Sequence, residues 1–320
     1  PDGQRILSGG QDKTICVWIL ENGTLPGGLL QPNGSRPLIL HLPFASLLSL
    51  GGESAPRVFH LMTSALLLVG VRAIGRAHLN PTAGNIAPLV LLSCGSFVGE
   101  FGQASNNLPT ALCVLVALDA ALRSNPRTLA IASAAALTCK YSAAAPIAAV
   151  FLVTKIPWKT RVGVGVTALL LVSPWWVRNV LEDLHPLFPF AGWPAPQGAS
   201  DTTPMQFFFL EKYGAGRDAR AMLMLPWNSV MTGSFDTFRF LGRLNPVLLA
   251  TFPLAFLGIR RPKHGAILFV SVFAFIDWAA GAHWIRHLLP SLPLLALACA
   301  SGLSLSVSLF LSLSLSLSLS

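Results

Sequence analysis

The stretch that decides the fold is residues 108–155, LPTALCVLVALDAALRSNPRTLAIASAAALTCKYSAAAPIAAVFLVTK. It holds two apolar runs, 108–122 and 128–153, separated by a short basic loop. The second run is long enough for two short helices, and Lys140 interrupts it. Long apolar runs bounded by charged loops are typical of membrane-spanning helices. The stretch therefore predicts a helix in the membrane, a short basic turn, and a second membrane segment that is broken into two short helices at Lys140.

The composition of the whole chain supports a membrane protein. Of 320 residues, 53% are hydrophobic and only 11% are charged, against about 25% charged in an ordinary soluble domain. The mean hydropathy is +0.62. The net charge of +9 could indicate nucleic-acid binding, but the basic residues lie in short clusters between apolar runs. That arrangement is typical of membrane proteins, so we expect a lipid bilayer as partner and no nucleic acid.

Apolar runs recur along most of the chain. They lie at about 58–71, 84–99, 108–122, 128–153, 162–177, 246–259, 265–281 and 287–302. The predicted fold class is therefore all-α: a polytopic transmembrane helical bundle with a long non-cytoplasmic loop at 178–245. We expect an integral, multi-pass protein of the plasma or inner membrane in a bacterium, or of endomembranes in a eukaryote.

Charge predicts the orientation of these helices. Four acid-free clusters of Arg and Lys fall at alternate ends of the runs: Arg72 and Arg76; Arg123 and Arg127; Lys155, Lys159 and Arg161; Arg260, Arg261 and Lys263. Positive loops stay in the cytoplasm, so these clusters are predicted to be cytoplasmic. Residues 100–107, the Lys140-Tyr141 break, 178–245 and 282–286 then lie on the other face.

The two ends of the chain differ from the apolar middle. Residues 1–25 resemble part of one WD40 propeller repeat, because Asp12 and Trp18 bracket a short strand, DKTICVW. Half a repeat cannot form a core alone, so we expect no independent folding there. Residues 26–57 are predicted to be a linker, and 303–320 a Leu-Ser low-complexity tail without function. Period-two alternation suits a strand, but no partner sheet is nearby. We expect the chain to be truncated and chimeric.

Lys140 is the first candidate functional residue. A cation at membrane depth is costly unless it has a partner, so Lys140 predicts an anion site or, alternatively, a side chain that reaches to the interface. Arg178, after the pair Trp175-Trp176, and Arg286, at the mouth of the last helix, lie on the same predicted face.

Four segments carry a family resemblance: LPTALCVLVALDAALRSNPRTLAIASAAALTCKYSAAAPIA, LLLVSPWWVRNVLEDLHPLFPF, LPWNSVMTG and IRHLLPSLPLLALA. In this order and spacing they resemble membrane glycosyltransferases of family 39 in the GT-C superfamily, which includes protein O-mannosyltransferases and lipid A aminoarabinose transferases. The resemblance covers about residues 58–302. It implies transfer of a sugar from a polyprenyl-phosphate donor, on the non-cytoplasmic face and with inversion, to a lipid, glycan or protein acceptor.

The resemblance also implies roles for particular residues. Cations must hold the donor phosphate and stabilise its charge as it leaves, a role for Lys140, Arg178 and Arg286. A carboxylate must take the acceptor proton, and Glu100 is the catalytic candidate that remains. The neighbouring polar residues are candidate substrate-binding groups: Asn106, Asn107, Tyr141 and His287.

The sequence departs from the family pattern in three places. The acidic loop after a first transmembrane helix is replaced by residues 1–57, an acidic residue before Leu-Pro is replaced by Asn106-Asn107, and an Arg-Tyr pair becomes Arg286-His287. We therefore expect little or no transfer by the chain as given. The five cysteines form no C-x-x-C pair and no His cluster accompanies them, so no cofactor and no metal site are expected, while a divalent metal stays open.

Two other classes of protein remain as alternatives. One is a polytopic membrane transporter or channel, although the sequence shows no internal repeat of the kind that transporters carry. The other is a propeller scaffold tethered to a membrane, which would need many more blades.

Overall fold

The structure is a computed structural model that describes residues 5–9, 15–19, 46–47, 49–52, 54–103, 105–181, 215–234, 240–281 and 283–319. From residue 54 onward, every regular element in this part of the chain is helical. The long predicted loop is described only at 178–181, 215–234 and 240–245; the rest of it and most of residues 1–45 lie outside the described residues.

The first helices form a bent antiparallel pair. Helix α1 spans Ser54–His78, α2 spans Pro81–Leu92, and α3 (Gly95–Gly99) continues into a 3₁₀ turn at Glu100–Gly102. Asn80 caps α2 by accepting the backbone N–H of Ala83 at 2.8 Å, and Pro81 suits the first helical position. The direction changes by 69° between α2 and the segment that ends at Gly102. This bend brings Glu100 beside the start of α1.

The quoted stretch 108–155 folds as its pattern predicts. Helix α4 spans Asn107–Leu122 and α5 spans Pro126–Cys139, with Ser124 in the left-handed region (φ 55°) at the turn between them. At Lys140 the backbone is extended (φ −161°, ψ 129°), a 3₁₀ turn follows at Tyr141–Ala143, and α6 spans Ala144–Val153. The predicted break at Lys140-Tyr141 is therefore confirmed.

The remaining helices complete one packed body. Their bounds are α7 Trp158–Leu181, α8 Ala219–Leu223, α9 Leu225–Met231, α10 Pro246–Thr251 with a 3₁₀ segment Phe252–Gly258, α11 Pro262–Ala280, α12 Ile285–Leu288 with a 3₁₀ turn Leu289–Ser291, and α13 Leu292–Leu319. Helix α13 crosses the bundle and contacts α2, α10 and α11.

Helix α4 lies at the centre of this body. Four consecutive residues, Leu108–Ala111, are buried, so every face of its first turn is covered. It contacts α1, α5, α6 and the turn before α13. A helix that is apolar all round is expected in a protein interior or a membrane, and α4 is both short and central. Its position fixes the group of polar residues at its first turn.

Helix lengths and composition make this a multi-pass membrane protein. Among the described residues, four helices are long and apolar enough to cross a bilayer, and the bent pair 81–102 would make a fifth. Three shorter apolar helices, including α4, accompany them. Large apolar side chains remain exposed on the outer face of α7, among them Leu170 and Val177. Such a surface requires lipid rather than water.

Hydrogen bonds show which polar residues lie together at each of the two ends of the bundle. One end holds Glu100, Asn107 and Lys140, and it also receives the described part of the long loop, because the backbone N–H of Arg243 donates to Ser96 Oγ at 2.8 Å. At the other end His78 contacts Asp119, and Ser304 contacts Asn80. We refer to these as the Lys140 end and the His78 end.

The Leu-Ser tail is helical and not a strand. Its serine hydroxyls donate to carbonyls three or four residues earlier, for example Ser308 Oγ to Ser304 O at 2.9 Å. These bonds satisfy the hydroxyls inside the helix, and the two described strands, β1 and β2, pair with each other. Ser304, within the predicted tail, is buried against Asn80, so the packed body extends past residue 302.

Two segments near the amino terminus refine the predicted boundaries. Strands β1 (Arg5–Gly9) and β2 (Ile15–Ile19) pair antiparallel with Ser8 opposite Cys16, so the predicted short β fragment is present. Its assignment to a WD40 repeat stays a prediction. Helix α1 begins at Ser54, four residues inside the predicted linker and two positions after Gly52, which has a φ of +62°.

Candidate functional site

The candidate site lies where α4 begins and α5 ends. These helices are antiparallel neighbours, so the start of α4 and the end of α5 meet at one end of the bundle. Asn106 joins them, because its Nδ2 donates to the carbonyl oxygen of Cys139 at 2.9 Å. That bond occupies one of the carbonyls that a helix leaves unsatisfied at its end. Lys140 follows directly and points its ammonium at the first turn of α4.

A carboxylate, an amide and an ammonium are hydrogen-bonded in sequence at this point. Asn107 Nδ2 donates to Glu100 Oε2 at 3.1 Å, and Lys140 Nζ donates to Asn107 Oδ1 at 2.7 Å. Ser105 Oγ also donates to Glu100 Oε2. A carboxylate only accepts and an ammonium only donates, so the amide has a single consistent orientation. We call Glu100, Asn107 and Lys140 the Glu-Asn-Lys chain.

Burial makes this chain of polar groups strongly ordered. Glu100 is only 7% exposed and Asn107 only 4%. Hydrogen bonds strengthen in a low-dielectric interior, and a missing partner becomes correspondingly costly. The negative and positive groups are bridged by one amide, so the site is neutral overall while it presents both a carboxylate and an ammonium. This combination can bind an anion and accept a proton within one small region.

His60 is a further member of the site that the sequence did not indicate. It lies in the first turns of α1, is fully buried, and stands close to the Glu100 carboxylate and to the backbone of Phe101 and Ser105. The contact depends on the bend between α2 and the Glu100 turn, which joins residues 40 positions apart. The available signal was that His60 is a polar residue inside the apolar run 58–71.

The predicted cations Arg178 and Arg286 each lie over a tryptophan ring. The Arg178 guanidinium carbon is 4.7 Å from the Trp175 ring centroid, and that of Arg286 is 4.1 Å from the Trp284 centroid. The rings of Trp284 and His287 have centroids 5.4 Å apart. Stacking of this kind holds a guanidinium in place and leaves its edge for hydrogen bonds. Convergence of these two arginines on Lys140 stays a prediction.

The described part of the long loop is tied to the bundle by Arg217. Its guanidinium donates to three carbonyls at the end of α11: Ala279 at 3.1 Å, Ala280 at 3.1 Å and Gly281 at 2.6 Å. Burial lowers the pKa of Arg217 from its ordinary value. The next segment pairs with the bundle through the backbone N–H of Ile285, which donates to Phe240 O at 2.9 Å. This part of the loop is folded against the end of the bundle.

His283 stands beside this connection and is fully buried. Its Nε2 donates to the carbonyl of Ala279 at 2.8 Å, and its ring stacks on Phe240 with centroids 6.4 Å apart. Burial lowers the pKa of His283; the hydrogen bond to Ala279 opposes that shift and the charge of Arg217 adds to it. His283 is therefore favoured as the neutral imidazole in the folded protein.

Within the described ranges, no three His, Cys, Asp or Glu side chains come together as metal ligands would. Cys94, Cys113, Cys139 and Cys299 are free thiols.

Of the residues predicted from the sequence, the structure brings together Glu100, Asn106, Asn107, Lys140 and the adjacent Tyr141.

Comparison with known proteins gives a structural likeness without a sequence match. No protein-family model matches the chain, and no curated protein is significantly similar to it in sequence. Two solved structures resemble its fold, both of ArnT from Cupriavidus metallidurans. The structure bound to undecaprenyl phosphate has a TM-score of 0.57 at 15% identity over 84% of this chain. The apo structure has a TM-score of 0.52 at 15% identity over 84% of this chain.

This likeness establishes the fold. The bundle has a helical membrane fold like that of ArnT. The chain spans about half the length of these structures, covering 50% of one and 49% of the other. At 15% identity the activity does not follow from the fold and must be argued from the site.

Proposed function

We propose that this chain is the membrane core of a glycosyltransferase that uses a polyprenyl-phosphate-linked sugar and resembles family 39. The observation that carries the proposal is the Glu-Asn-Lys chain, which stands at one end of a GT-C-like bundle. One of the two similar ArnT structures holds undecaprenyl phosphate, which supports a lipid phosphate as ligand for this fold.

Lys140 is proposed to bind the donor phosphate. When the sugar leaves, the phosphate gains negative charge, and an ammonium held in a protein interior stabilises that charge more than water would. The hydrogen bond to Asn107 fixes the ammonium before the donor arrives. Arg178 and Arg286 are proposed to complete the phosphate site, with their guanidinium groups held on Trp175 and Trp284.

Glu100 is proposed to be the general base. The acceptor hydroxyl oxygen attacks the anomeric carbon, its proton moves to Glu100, and the bond from that carbon to the phosphate oxygen breaks with both electrons leaving on the phosphate. Attack from the face opposite the leaving group inverts the anomeric configuration. Asn107 holds the carboxylate and the ammonium in register, and Asn106, Tyr141 and His287 are proposed to contact the substrates.

Binding of undecaprenyl phosphate to the purified chain tests this proposal. Lys140→Met should weaken binding about tenfold or more, the effect of losing one charge-assisted hydrogen bond. The matched control is Lys155→Met, since Lys155 is an exposed lysine that follows α6 at the far side of the bundle. Glu100→Gln should leave binding within about twofold while lowering any measured transfer about 10²–10⁴-fold.

Two results would contradict the proposal. Equal binding by the wild type, Lys140→Met and Lys155→Met would show that Lys140 does not contact the phosphate. Full transfer by Glu100→Gln would remove Glu100 as the base and leave only lipid binding.

A further inference from the structure

The last part of the long loop packs between two elements that carry predicted site residues. Residues 240–243 lie against α3, the short helix that leads into the Glu100 turn, and against the start of α12. The backbone N–H of Ile285 donates to Phe240 O at 2.9 Å, and Arg286 is the next residue of α12. We call residues 240–243 the connecting segment, because it links the position of Glu100 to that of Arg286.

Ser96 anchors the connecting segment to α3. Its hydroxyl donates to the carbonyl oxygen of Arg243 at 2.8 Å and accepts the backbone N–H of the same residue at 2.8 Å. One side chain thus bonds both backbone groups of Arg243, as a neighbouring strand would. Ser96 is only 5% exposed, and hydrogen bonds in such a place are costly to lose.

The anchor also determines the orientation of Glu100. Helix α3 passes into the 3₁₀ turn of Glu100 without a break, and Ser96 precedes Glu100 by four residues. Side chains four residues apart lie on the same side of a helix, so a hold on Ser96 fixes the rotation of the turn that follows. Asn245 strengthens the attachment, because its Nδ2 donates to Ser93 Oγ at the bend itself.

Gly242 allows the connecting segment to pass this closely. Its φ of +145° lies in the region that favours glycine. A Cβ at Gly242 would lie 2.8 Å from Ser96 Oγ and 3.0 Å from Ile285 Cβ. A side chain at this position would therefore push α3 and α12 apart.

We propose that Ser96 is a positioning residue, which fixes the Glu100 turn relative to Arg286 through the connecting segment. The inference rests on the proposed function, in which Glu100 takes the acceptor proton and Arg286 binds the donor phosphate. The acceptor oxygen and the leaving phosphate lie on opposite faces of one anomeric carbon, so the base and the cation need a set separation. A misplacement of about 1 Å can cost about 10²-fold in rate. Ser96 itself touches no substrate in this scheme.

Hydrogen exchange of the purified full chain tests the positioning without any substrate. Ser96→Ala should raise amide exchange about tenfold or more in residues 97–103 and 283–288, because both stretches lose their shared anchor. Ser96→Thr keeps the hydroxyl and should restore the wild-type rates. Ser133→Ala is the matched control and should change exchange in these stretches by less than about twofold. Ser133 is also buried, but its hydroxyl makes no hydrogen bond within the described chain.

Binding of undecaprenyl phosphate tests whether the anchor acts through Arg286. Ser96→Ala should weaken binding about fivefold in the otherwise wild-type chain and by less than about twofold in Arg286→Gln, in which no guanidinium is left to misplace. An equal loss in both backgrounds would overturn the action through Arg286. Failure of the wild type to bind would contradict the proposed function, while the exchange measurement would still decide whether Ser96 positions the two stretches.

Gly242→Ala is an independent variant that keeps the Ser96 hydroxyl. Its added Cβ lies against that hydroxyl, so exchange should rise about tenfold in the same two stretches. Gly216→Ala is its control, because Gly216 also has a positive φ (+99°), and its added Cβ would lie nearest to Ala221, at 3.3 Å. Rates near those of the wild type in both Ser96→Ala and Gly242→Ala, or an equal rise in Gly216→Ala, would overturn the proposal.

Discussion

Asn107 is the residue on which the candidate site depends most. It is 4% exposed and joins a buried carboxylate to an ammonium through its two amide atoms. The sequence predicted Lys140 because a cation interrupts an apolar run, and it predicted Asn107 from its place before Leu-Pro. The amide's role as a bridge could not be predicted from the sequence. It depends on how Glu100, Asn107 and Lys140 are arranged in space, which only the folded structure gives. His60 was missed for the same reason.

Replacing Asn107 should destabilise the protein. Asn107→Leu removes the amide's hydrogen bonds to the Glu100 carboxylate and the Lys140 ammonium, which should lower the free energy of unfolding by about 1–3 kcal/mol. The matched control is Asn85→Leu, which removes the exposed hydrogen bond from Arg72 Nε to Asn85 Oδ1 and should change stability by less than about 0.5 kcal/mol. Unfolding in mixed micelles measures both values. Equal effects of the two variants would show that the Glu-Asn-Lys chain adds no stability.

His283 should make stability depend on pH. Its pKa is lowered in the folded protein by burial, so the unfolded chain binds a proton more readily as the pH falls. The contribution of His283 is therefore fully present above its unfolded pKa of about 6.5 and is lost as the pH falls below that value. His283→Gln cannot titrate. The stability of the wild type relative to His283→Gln should fall between about pH 7.5 and pH 5.5, as measured by thermal unfolding in detergent. A pH-independent difference would contradict the neutral, buried imidazole.

At the level of helices, α1 and α2 meet at two glycines. A Cβ on Gly75 would lie 2.6 Å from Gly84 Cα, and a Cβ on Gly84 would lie 2.6 Å from the backbone nitrogen of Arg76. Small residues allow membrane helices to approach so closely that backbones touch. The apolar runs predicted both helices, but the register that places these glycines together follows only from the packed structure.

Gly84→Ala should separate these helices. The added methyl group meets backbone atoms, which cannot move away cheaply, so the free energy of unfolding should fall by about 1–3 kcal/mol. Gly163→Ala in α7 is the control, because nothing lies within 4 Å of its added Cβ. Alanine favours a helix over glycine, so Gly163→Ala should be neutral or stabilising by up to about 1 kcal/mol. A loss of stability in Gly163→Ala equal to that in Gly84→Ala would contradict the packing of α1 on α2.

For the whole molecule, the sequence predicted the class of fold well and the ends of its elements less well. Each apolar run of the sequence corresponds to one or two helices in the structure. A segment that crosses lipid must be long and apolar however it packs, so hydropathy alone predicts it. The helical Leu-Ser tail differs from its period-two pattern because serine hydroxyls bond within the helix. The bend before Glu100 depends on long-range contacts such as Ser96 with Arg243, which no local pattern contains.

The two ends of the molecule carry different chemistry. The Lys140 end combines a carboxylate with an ammonium, and the His78 end is basic. Both ends carry cations, so the decisive question is which end binds the polyprenyl phosphate. We expect it at the Lys140 end, because a buried carboxylate lies there together with an ammonium, as sugar transfer requires.

Photo-crosslinking of undecaprenyl phosphate would locate its binding site on the chain. An analogue with its reactive group beside the phosphate would be bound to the purified chain, irradiated, and its attachment sites mapped by peptide mass spectrometry. We expect attachment to peptides around residues 100–107 and 140–143, competed by unlabelled undecaprenyl phosphate and reduced about tenfold by Lys140→Met. Attachment instead to the peptides around His78 and Lys263, unchanged by Lys140→Met, would contradict it.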